Sequence, residues 1–209
     1  MFQPTTKTIS LDEFLNWYPD TGRYELIDGE IVEMQPTGKH EEIGGFIASE
    51  LSFLIRQQQE PLIIPRTPLV KAPGERERDT GYRPDVLVLD LPSLQSEPLW
   101  EKASTITRGN SARLLVEVVS TNWRDDYLKK FADYEELGIP EYWIVDYLGI
   151  GGRRYIGSPK RPTISVCTLV EGEYQVTLFQ GDDRKIESKA FPELTLSVAE
   201  IFNAKKFSP

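Results

Sequence analysis

The sequence predicts an α/β fold in which a mixed sheet is flanked by helices, and three segments lead to this class. Residues 39–58 carry apolar side chains at helical spacing, which gives a helix with one buried face. Residues 114–119 are apolar on both faces, as expected for a central strand of a sheet. Residues 125–137 then show a helical pattern that leads to a further apolar strand at 141–146. Because a helix joins these two strands, we expect a crossover connection within the sheet.

Turn and capping residues mark the ends of the remaining elements. Ser10 begins a capping box that opens a short helix at about 11–17. Asp28-Gly29 lies between alternating apolar residues and predicts an added amino-terminal β-hairpin over 24–34. Gly138 ends the second long helix. The other predicted elements are extended segments at 62–64, 69–70 and 85–89, a loop with a short element at 92–110, an added carboxy-terminal hairpin at 163–169 and 174–179, and a short helix at about 198–202.

Composition limits the class of protein. The chain has 209 residues, of which 39% are hydrophobic and 27% charged, and this suits one domain over 1–209 with its core at about 24–180. Its one cysteine, Cys167, cannot form an internal disulfide, which favours a reducing compartment. We find no secretory pattern at the start and no apolar run approaching the roughly 20 residues that span a bilayer. We therefore expect a soluble cytoplasmic protein without a membrane partner.

The net charge of −9 excludes a uniformly basic nucleic-acid-binding domain. Any contact with DNA or RNA must come from a local basic surface near neutralised carboxylates. Two local clusters could contact phosphates, although a solvated charged surface is the commoner explanation for such clusters. The first cluster is Arg66, Lys71, Arg76, Arg78 and Arg83, and the second is Arg153, Arg154, Lys160 and Arg161 with Tyr155 between them.

Two carboxylates stand beside apolar strands. Glu117 lies within the apolar segment 114–119, where a buried carboxylate is costly unless it is paired, protonated or bound to metal. The simpler alternative is a strand-end glutamate satisfied by Arg113 or by backbone donors. Asp85 opens the apolar strand 85–89, directly after a proline. Acids at equivalent ends of neighbouring strands could share one hard cation such as Mg²⁺.

Two lysines in the second helix have different predicted environments. At 100° per residue, Lys129 shares a face with Asp125 and Asp133, and we expect that face to be solvated. Lys130 falls beside Tyr134, on the border of the buried face. It either extends past the aromatic side chains to solvent or points at the carboxylates of the sheet. We favour the second orientation, because the predicted acids need a cation.

An ordered series of motifs resembles the Uma-two-type family, described as restriction endonucleases of the PD-(D/E)XK superfamily. Tyr24-Glu-Leu-Ile-Asp-Gly-Glu30 and His40 match its amino-terminal pattern. The resemblance covers residues 11–179, and the series is far more specific than any single motif. The other motifs are Arg83-Pro-Asp-Val86, Val116-Glu-Val-Val-Ser-Thr121, Asp126-x-x-x-Lys130-x-x-x-Tyr134 and Gly138-Ile-Pro-Glu-Tyr-Trp-Ile-Val-Asp146.

The resemblance implies a restriction-endonuclease-like core that binds Mg²⁺, or alternatively Mn²⁺, and hydrolyses phosphodiester bonds of nucleic acid, DNA in the first place. Asp85 and Glu117 would be the metal ligands together with a carbonyl near Val118, and Lys130 would be the catalytic lysine. The superfamily's lysine usually lies two residues after the glutamate, where this chain has Val119. The lysine would therefore come from the helix. By analogy with nucleases that cut both strands, we expect a homodimer.

Three supporting residues are expected on the same grounds. Glu25 could be an additional acidic ligand in the cleft. His40 could approach the cleft, or it could make only local hydrogen bonds at the start of its helix. Tyr134 could hydrogen-bond within the site, although a tyrosine on an apolar helix face is more often part of the core.

Two other functions remain open at this stage. A catalytically inactive nuclease-fold protein, acting as a binding or accessory subunit, is favoured by the acidic charge. An enzyme for small phosphate compounds is the third possibility, but the glycine-rich phosphate loop of P-loop proteins is absent from the sequence. A cleft in which Asp85, Glu117 and Lys130 converge would favour the nuclease.

Overall fold

The apolar segments pair into two mixed sheets in the computed structural model, which describes residues 8–19, 21–74 and 78–205. The strands are β1 (Tyr24–Ile27), β2 (Glu30–Glu33), β3 (Leu62–Ile63), β4 (Leu69–Ala72), β5 (Thr80–Tyr82), β6 (Val86–Asp90), β7 (Thr105–Ile106), β8 (Ala112–Val118), β9 (Glu141–Asp146), β10 (Thr163–Val170) and β11 (Glu173–Phe179). The α-helices are α1 (Leu11–Trp17), α2 (Gly38–Gln58), α3 (Leu91–Leu94), α4 (Trp100–Ala103), α5 (Lys130–Leu137), α6 (Arg153–Ile156) and α7 (Val198–Asn203).

The larger sheet has the order β11-β10-β9-β8-β6-β3. Its strands pair antiparallel except for β8 and β9, which are parallel because α5 carries the chain from one to the other. The last two residues of β8 pair with Ile144 and Val145 of β9. The predicted crossover connection is therefore confirmed, and β8 is central as expected.

The smaller sheet has the order β2-β1-β5-β4-β7. It incorporates the predicted amino-terminal hairpin, because β1 pairs with β5 at Leu26 and Gly81. The carboxy-terminal hairpin likewise extends the larger sheet through β10 and β9. Both hairpins form where the sequence predicts them, but each is part of a sheet instead of an addition to the core. The sequence does not predict this second sheet, because its other strands, β4, β5 and β7, are too short to show a periodic pattern.

The side chains of β8 point alternately to the two faces of the larger sheet, and each face is covered by a separate layer of the core. Leu114, Val116 and Val118 pack on the side of α2 and α7. Leu115 and Val119 face the side of α5 and the smaller sheet. The carboxy-terminal segment also contributes buried side chains beside α2, so the buried core includes residues beyond 180.

The second long helix begins with a π-helical turn, Asp125–Lys129, before α5. Its amino-terminal bound thus agrees with the predicted 125–137, but its first turn is wider than an α-helix. Gly138 ends α5 at φ 83°, in the left-handed region that glycine adopts without strain. In the part of the chain that the structure describes, no helix has the length and hydropathy needed to cross a membrane.

Candidate active site

Strand alternation and the crossover helix bring Asp85, Glu117 and Lys130 together. Glu117 belongs to the α5-facing side of β8, because the buried side chains on either side of it point to α2. The backbone N–H of Asp85 donates to the carbonyl of Val116 at 3.1 Å, so Asp85 lies just before β6 and directly beside Glu117. Lys130 is the first residue of α5 and is 2% exposed. The three residues come from three elements that meet at one end of the sheet.

Lys130 points inward, as its helix position predicts. Its Nζ donates to Glu117 Oε1 at 3.0 Å and to Glu25 Oε1 at 3.2 Å, and it lies 3.9 Å from Asp126 Oδ1. Burial alone would lower the pKa of Lys130, but the surrounding acids raise it well above its ordinary value. Lys130 is therefore a permanently charged cation within an acidic cluster.

Asp85 is held by an arginine and a histidine side chain. Arg23 donates to Asp85 Oδ1 at 2.8 Å, and His40 Nε2 lies 3.1 Å from Asp85 Oδ2. The N–H of Val118 also donates to Oδ2, at 2.8 Å. Burial would raise the pKa of Asp85, but His40 and Arg23 outweigh it and hold that pKa below its ordinary value. Asp85 is therefore ionised.

Glu117 is buried without an arginine partner among the described residues. Burial, together with the charges of Asp85 and Glu25, raises the pKa of Glu117 to about 7, although Lys130 opposes the shift. Arg113 pairs with Glu60 instead, so the simpler alternative for Glu117 is wrong in its proposed partner. The raised pKa of Glu117 indicates that the positive charge of Lys130 does not balance the burial of Glu117 and the negative charges of its neighbouring acids.

The supporting residues all reach this cluster. Glu25 is 1% exposed, its Oε1 accepts from the N–H of Arg83 at 2.8 Å, and its Oε2 has no hydrogen-bond partner among the described residues. Tyr134 is fully buried, as a core tyrosine would be, but its hydroxyl donates to Glu117 Oε1 at 2.9 Å. The backbone N–H of His40 donates to the hydroxyl of the N-cap Thr37, and its ring contacts Asp85, so both interpretations of this histidine hold.

Two members of the cluster, Arg23 and Asp126, have no role predicted from the sequence, although Asp126 begins the motif that contains Lys130 and Tyr134. Arg23 precedes Glu25 by two positions, and residues two apart share a face of an extended chain. Asp126 precedes Lys130 by four positions and so shares its side of the helix. Burial raises the pKa of Asp126 well above its ordinary value, against the influence of Lys130. Simple periodicity could identify both residues once Glu25 and Lys130 are chosen.

The expectation of a solvated face around Lys129 is wrong. Lys129 is half-buried and its ammonium forms an ion pair with Asp28 of the amino-terminal hairpin. Asp133, on the same face, accepts a hydrogen bond from the hydroxyl of Tyr82 at 2.5 Å. The reason is the second sheet, which covers this face of α5 and replaces water by partners from β5 and the β1–β2 turn.

The cluster opens to solvent through a cleft of about 370 Å³ beside the amino-terminal hairpin and the start of α2. The cleft continues into a narrow cavity of about 50 Å³ that is lined by Asp85, Glu117, Val118 and Lys130. Arg83 lines the same cavity, and its buried Nε has no hydrogen-bond partner among the described residues. Of the first basic cluster, Lys71 lies near Asp79 at 3.7 Å, and Arg76 lies outside the described residues.

The donor set fits a hard divalent cation. Asp85, Glu117 and a backbone carbonyl at Val118 would supply oxygen ligands, which Mg²⁺ prefers. The raised pKa of Glu117 and the unpaired Glu25 Oε2 both indicate acids that an added cation would neutralise. Within the described ranges no three His, Cys, Asp or Glu side chains form a ready-made metal group. That is compatible with Mg²⁺, which commonly uses one or two carboxylates and completes its shell with water and phosphate oxygens.

Comparisons with known proteins agree with this fold. A solved structure from Anabaena variabilis, described as a putative nuclease, has a TM-score of 0.68 to this chain, with 21% sequence identity, covering 94% of this chain and 98% of that chain. At this identity the likeness establishes the shared α/β fold, and it confirms the predicted fold class. No curated protein matches the chain. The model of the Uma2 family, described as "Putative restriction endonuclease", matches residues 11–199. Because the match covers most of the 209 residues of this chain, the chain belongs to the Uma2 family.

Proposed function

We propose that the protein is a metal-dependent nuclease that hydrolyses phosphodiester bonds, with Asp85, Glu117 and Lys130 as its catalytic residues. The observation that carries this proposal is the convergence of all three in one cleft, with Lys130 Nζ 3.0 Å from Glu117. The description of the Uma2 family supports the same class of activity. Asp85, Glu117 and the Val118 carbonyl are the proposed Mg²⁺ ligands, and Mn²⁺ has the same oxygen preference.

A bound Mg²⁺ would supply Lewis-acid stabilisation of the phosphate and an activated water. The protein's own residues prepare the site for it. Arg23 and His40 keep Asp85 ionised and fix both of its oxygens. Tyr134 and Lys130 orient Glu117 by donating to the same oxygen. Arg83 would add positive charge beside a bound phosphate, because it lines the same cavity.

Lys130 serves in this proposal as a fixed cation and not as a general base. Its raised pKa means that it keeps its proton at physiological pH. A buried ammonium next to the scissile phosphate stabilises negative charge that develops in the transition state. The same ammonium donates hydrogen bonds that can orient a water molecule. Glu25 Oε1 accepts a hydrogen bond from the same ammonium, and its predicted role as an additional acidic ligand stays a prediction.

The alternative function is a catalytically inactive nuclease-fold protein that acts as a binding or accessory subunit. A specific contact favours it, because Arg23 already neutralises Asp85 at 2.8 Å. The net charge of −9 also favours it, since phosphate backbones are repelled by an acidic surface. The nuclease requires both a divalent ion between Asp85 and Glu117 and cleavage of nucleic acid, whereas the accessory role requires neither.

Titration calorimetry with MgCl₂ and MnCl₂ tests the proposal on the wild type, Glu117→Gln and Arg23→Gln. The wild type should bind the ion, and Glu117→Gln should reduce its affinity at least tenfold, about 1.4 kcal/mol, because a charged ligand becomes neutral. Arg23→Gln should tighten binding severalfold, because a competing cation leaves Asp85. Glu60→Gln, at an ion pair outside the cleft, is the matched control and should leave the affinity unchanged.

The same four proteins and Lys130→Met are then incubated with supercoiled and linear DNA and with RNA in the presence of the bound ion. Cleavage that is lost in Glu117→Gln and in Lys130→Met would support catalysis at this site. Absence of ion binding in the wild type, with and without an oligonucleotide present, would contradict the nuclease function and favour the accessory role. Ion binding without cleavage of any substrate would also favour the accessory role.

DNA is the substrate that we propose first, because the family is described as a restriction endonuclease. Nucleases that cut both strands of a duplex often bring two sites together, and by this analogy we propose that a homodimer supplies them. The single buried cysteine, Cys167, supports a cytoplasmic location for this activity. Sedimentation velocity of the purified protein tests the dimer, and a monomer at all concentrations would contradict it.

A further inference from the structure

The larger sheet ends at β11, which is the longest outer strand in the part of the chain that the structure describes. It has seven residues, whereas the other outer strands, β2, β3 and β7, have four, two and two. Its ladder with β10 is unbroken, and it contains no lysine, arginine or proline. Proteins usually protect an edge with such residues or with bulges, because free backbone groups pair with other chains. The edge of β11 lacks this protection.

The alternation of hydrogen bonds identifies the residues of β11 whose backbone groups point outward. In an antiparallel ladder, successive residues bond alternately to one neighbouring strand and to the other. The N–H of Leu169 in β10 donates to a carbonyl on the β9 side at 2.9 Å, so it does not bond to Tyr174, which lies opposite in β11. The N–H of Tyr174 donates to the carboxylate of Glu135 instead. Tyr174, Val176 and Leu178 therefore direct their N–H and C=O groups away from β10.

Val176 and Leu178 form the open part of this edge. The N–H of Tyr174 is occupied by Glu135, but those of Val176 and Leu178 have no acceptor among the described residues. The side chains of Val176 and Leu178 are 47% and 41% exposed. Free backbone groups and exposed apolar side chains thus occur at the same two residues.

The open edge is complementary to itself. If a second copy is turned about a two-fold axis at Thr177, its Leu178 lies opposite Val176 and its Val176 lies opposite Leu178. Each of these two pairs exchanges two N–H···O bonds, so four backbone hydrogen bonds form. The two Thr177 side chains then meet on the other face of the sheet, where a pair of threonines is favourable. An isologous contact of this kind closes as a dimer.

Charge also favours a second copy as the occupant of this edge. Residues 174–179 carry no charge, in a chain of which 27% is charged and whose net charge is −9. Two acidic chains repel each other unless they meet at neutral surfaces. In the register centred on Thr177, only neutral side chains oppose one another over residues 175–179, and Glu173 lies outside the paired segment. The edge therefore suits another copy of this chain better than a partner of opposite charge.

We propose that β11 is the homodimer interface, through antiparallel pairing with β11 of a second copy centred on Thr177. The two six-stranded sheets become one sheet of twelve strands. Glu117, Ile144, Ser165 and Leu178 are opposed in turn from β8 to β11, so they point to the same face. The two acidic clefts then lie on one face of the dimer, seven strand spacings or about 34 Å apart across the sheet. Cutting of both strands by these clefts rests on the proposed nuclease function, whereas the interface does not.

Sedimentation velocity in EDTA measures the association. The interface is smaller than the 1,200–2,000 Å² that stable complexes typically bury, so we expect a weak dimer that forms over about a hundredfold rise in concentration. A wild type that stays monomeric over this range would overturn the interface and leave the edge of β11 for a different protein.

Disulfide cross-linking tests the register. The two Thr177 residues form a non-hydrogen-bonded pair with Cα atoms about 4.5 Å apart, which is within the range of a disulfide. Thr177→Cys should therefore form a covalent dimer on mild oxidation. Gln175→Cys is the matched control, because Gln175 is exposed on the same face but lies about 14 Å along the strand from its counterpart. The native Cys167 is buried and should not react.

Charge exchange at the two-fold axis tests whether the partner is a second copy. Thr177→Glu and Thr177→Lys should each weaken dimerisation at least tenfold, because like charges then oppose each other. An equimolar mixture of the two variants should restore the dimer, which misfolded variants would not do. Ile31→Glu, at an exposed apolar residue of the outer strand β2, is the control and should dimerise like the wild type.

A dimer that neither charged variant weakens and that Thr177→Cys does not cross-link would place the contact elsewhere and overturn the proposal. Failure of the nuclease is a separate result, because Glu117→Gln should dimerise like the wild type in EDTA. Dimerisation through Thr177 by a protein that binds no Mg²⁺ and cleaves nothing would refute the nuclease and retain the interface. Metal-dependent cleavage by a protein that remains monomeric would refute the interface alone.

Discussion

A single buried lysine decides the electrostatics of the acidic cleft. Lys130 contacts Glu117 and Glu25 and lies near Asp126, and all four side chains are buried. Its position on the inner face of the helix could be predicted, because residues at 100° spacing place it beside Tyr134. The environment of its neighbour Lys129 could not, because only the folded chain brings Asp28 to it.

Lys130→Met tests this assignment at the residue scale. The substitution keeps the length of the side chain but leaves buried acids without their cation, so we expect a loss of about 3–5 kcal/mol of unfolding free energy. The loss should be smaller near pH 5 than near pH 8, because Glu117 is then protonated. Urea unfolding at both pH values measures it.

The adjacent lysine offers the matched control. Lys129→Met removes a half-buried ion pair with Asp28 and should cost about 1 kcal/mol or less. Equal losses for the two variants, or a Lys130→Met loss that does not depend on pH, would contradict the central position of Lys130 among the acids.

The strand–helix–strand unit β8-α5-β9 positions most of the cleft. The two strands of this unit were predictable from their apolar runs, and the end of its helix at Gly138 was predictable from capping preferences. The π-helical turn at the start of the helix could not be predicted, because no residue type specifies one. Such turns are frequent at functional sites, and here the turn contains Asp126.

Substitution of Gly138 tests how the end of α5 contributes to stability, at a position away from the cleft. Gly138 has a φ of 83°, and a Cβ there would meet nothing within 4 Å, so only the backbone conformation opposes substitution. Gly138→Ala should cost about 1 kcal/mol of stability, and Gly138→Asn less, because asparagine tolerates the left-handed region better.

Thermal or urea unfolding of both variants measures this difference. Since Gly138 and Lys130 lie at opposite ends of α5, the Mg²⁺ affinity proposed for the cleft should not change in either variant. A change in ion affinity as large as that caused by Glu117→Gln would show that the two ends of the helix are coupled.

The protein as a whole contains more acid than base, and this should make its stability depend on pH and metal. Glu117 has a folded pKa of about 7 against an ordinary value of 4.5, so the native state binds more protons than the unfolded state between these values. The unfolding free energy should therefore fall as the pH rises through that interval, by at most about 1.4 kcal/mol per pH unit. Asp85 acts in the opposite direction and loses its stabilising contacts only in acid.

Mg²⁺ should reverse this loss, because the ion proposed for the cleft would bind the native state with Glu117 ionised. Urea unfolding at about pH 5.5 and about pH 8, with and without MgCl₂, should show stabilisation by the ion mainly at the higher pH. Glu117→Gln should reduce the pH dependence in this interval, to which Asp126 also contributes, and should remove the effect of the ion. Equal stabilisation by Mg²⁺ in the wild type and the variant would place the ion elsewhere.

The sequence alone predicted the α/β class and the order of the longer helices and strands, and it favoured the inward orientation of Lys130. These depend on periodicity, capping and turn residues, which act over a few positions of the chain. The tertiary structure alone decided that Arg23 and His40 hold Asp85 and that Lys129 pairs with Asp28. These contacts join residues far apart in the chain, and they exist only because two sheets close on α5. Local patterns carry no information about which distant side chain meets a buried charge.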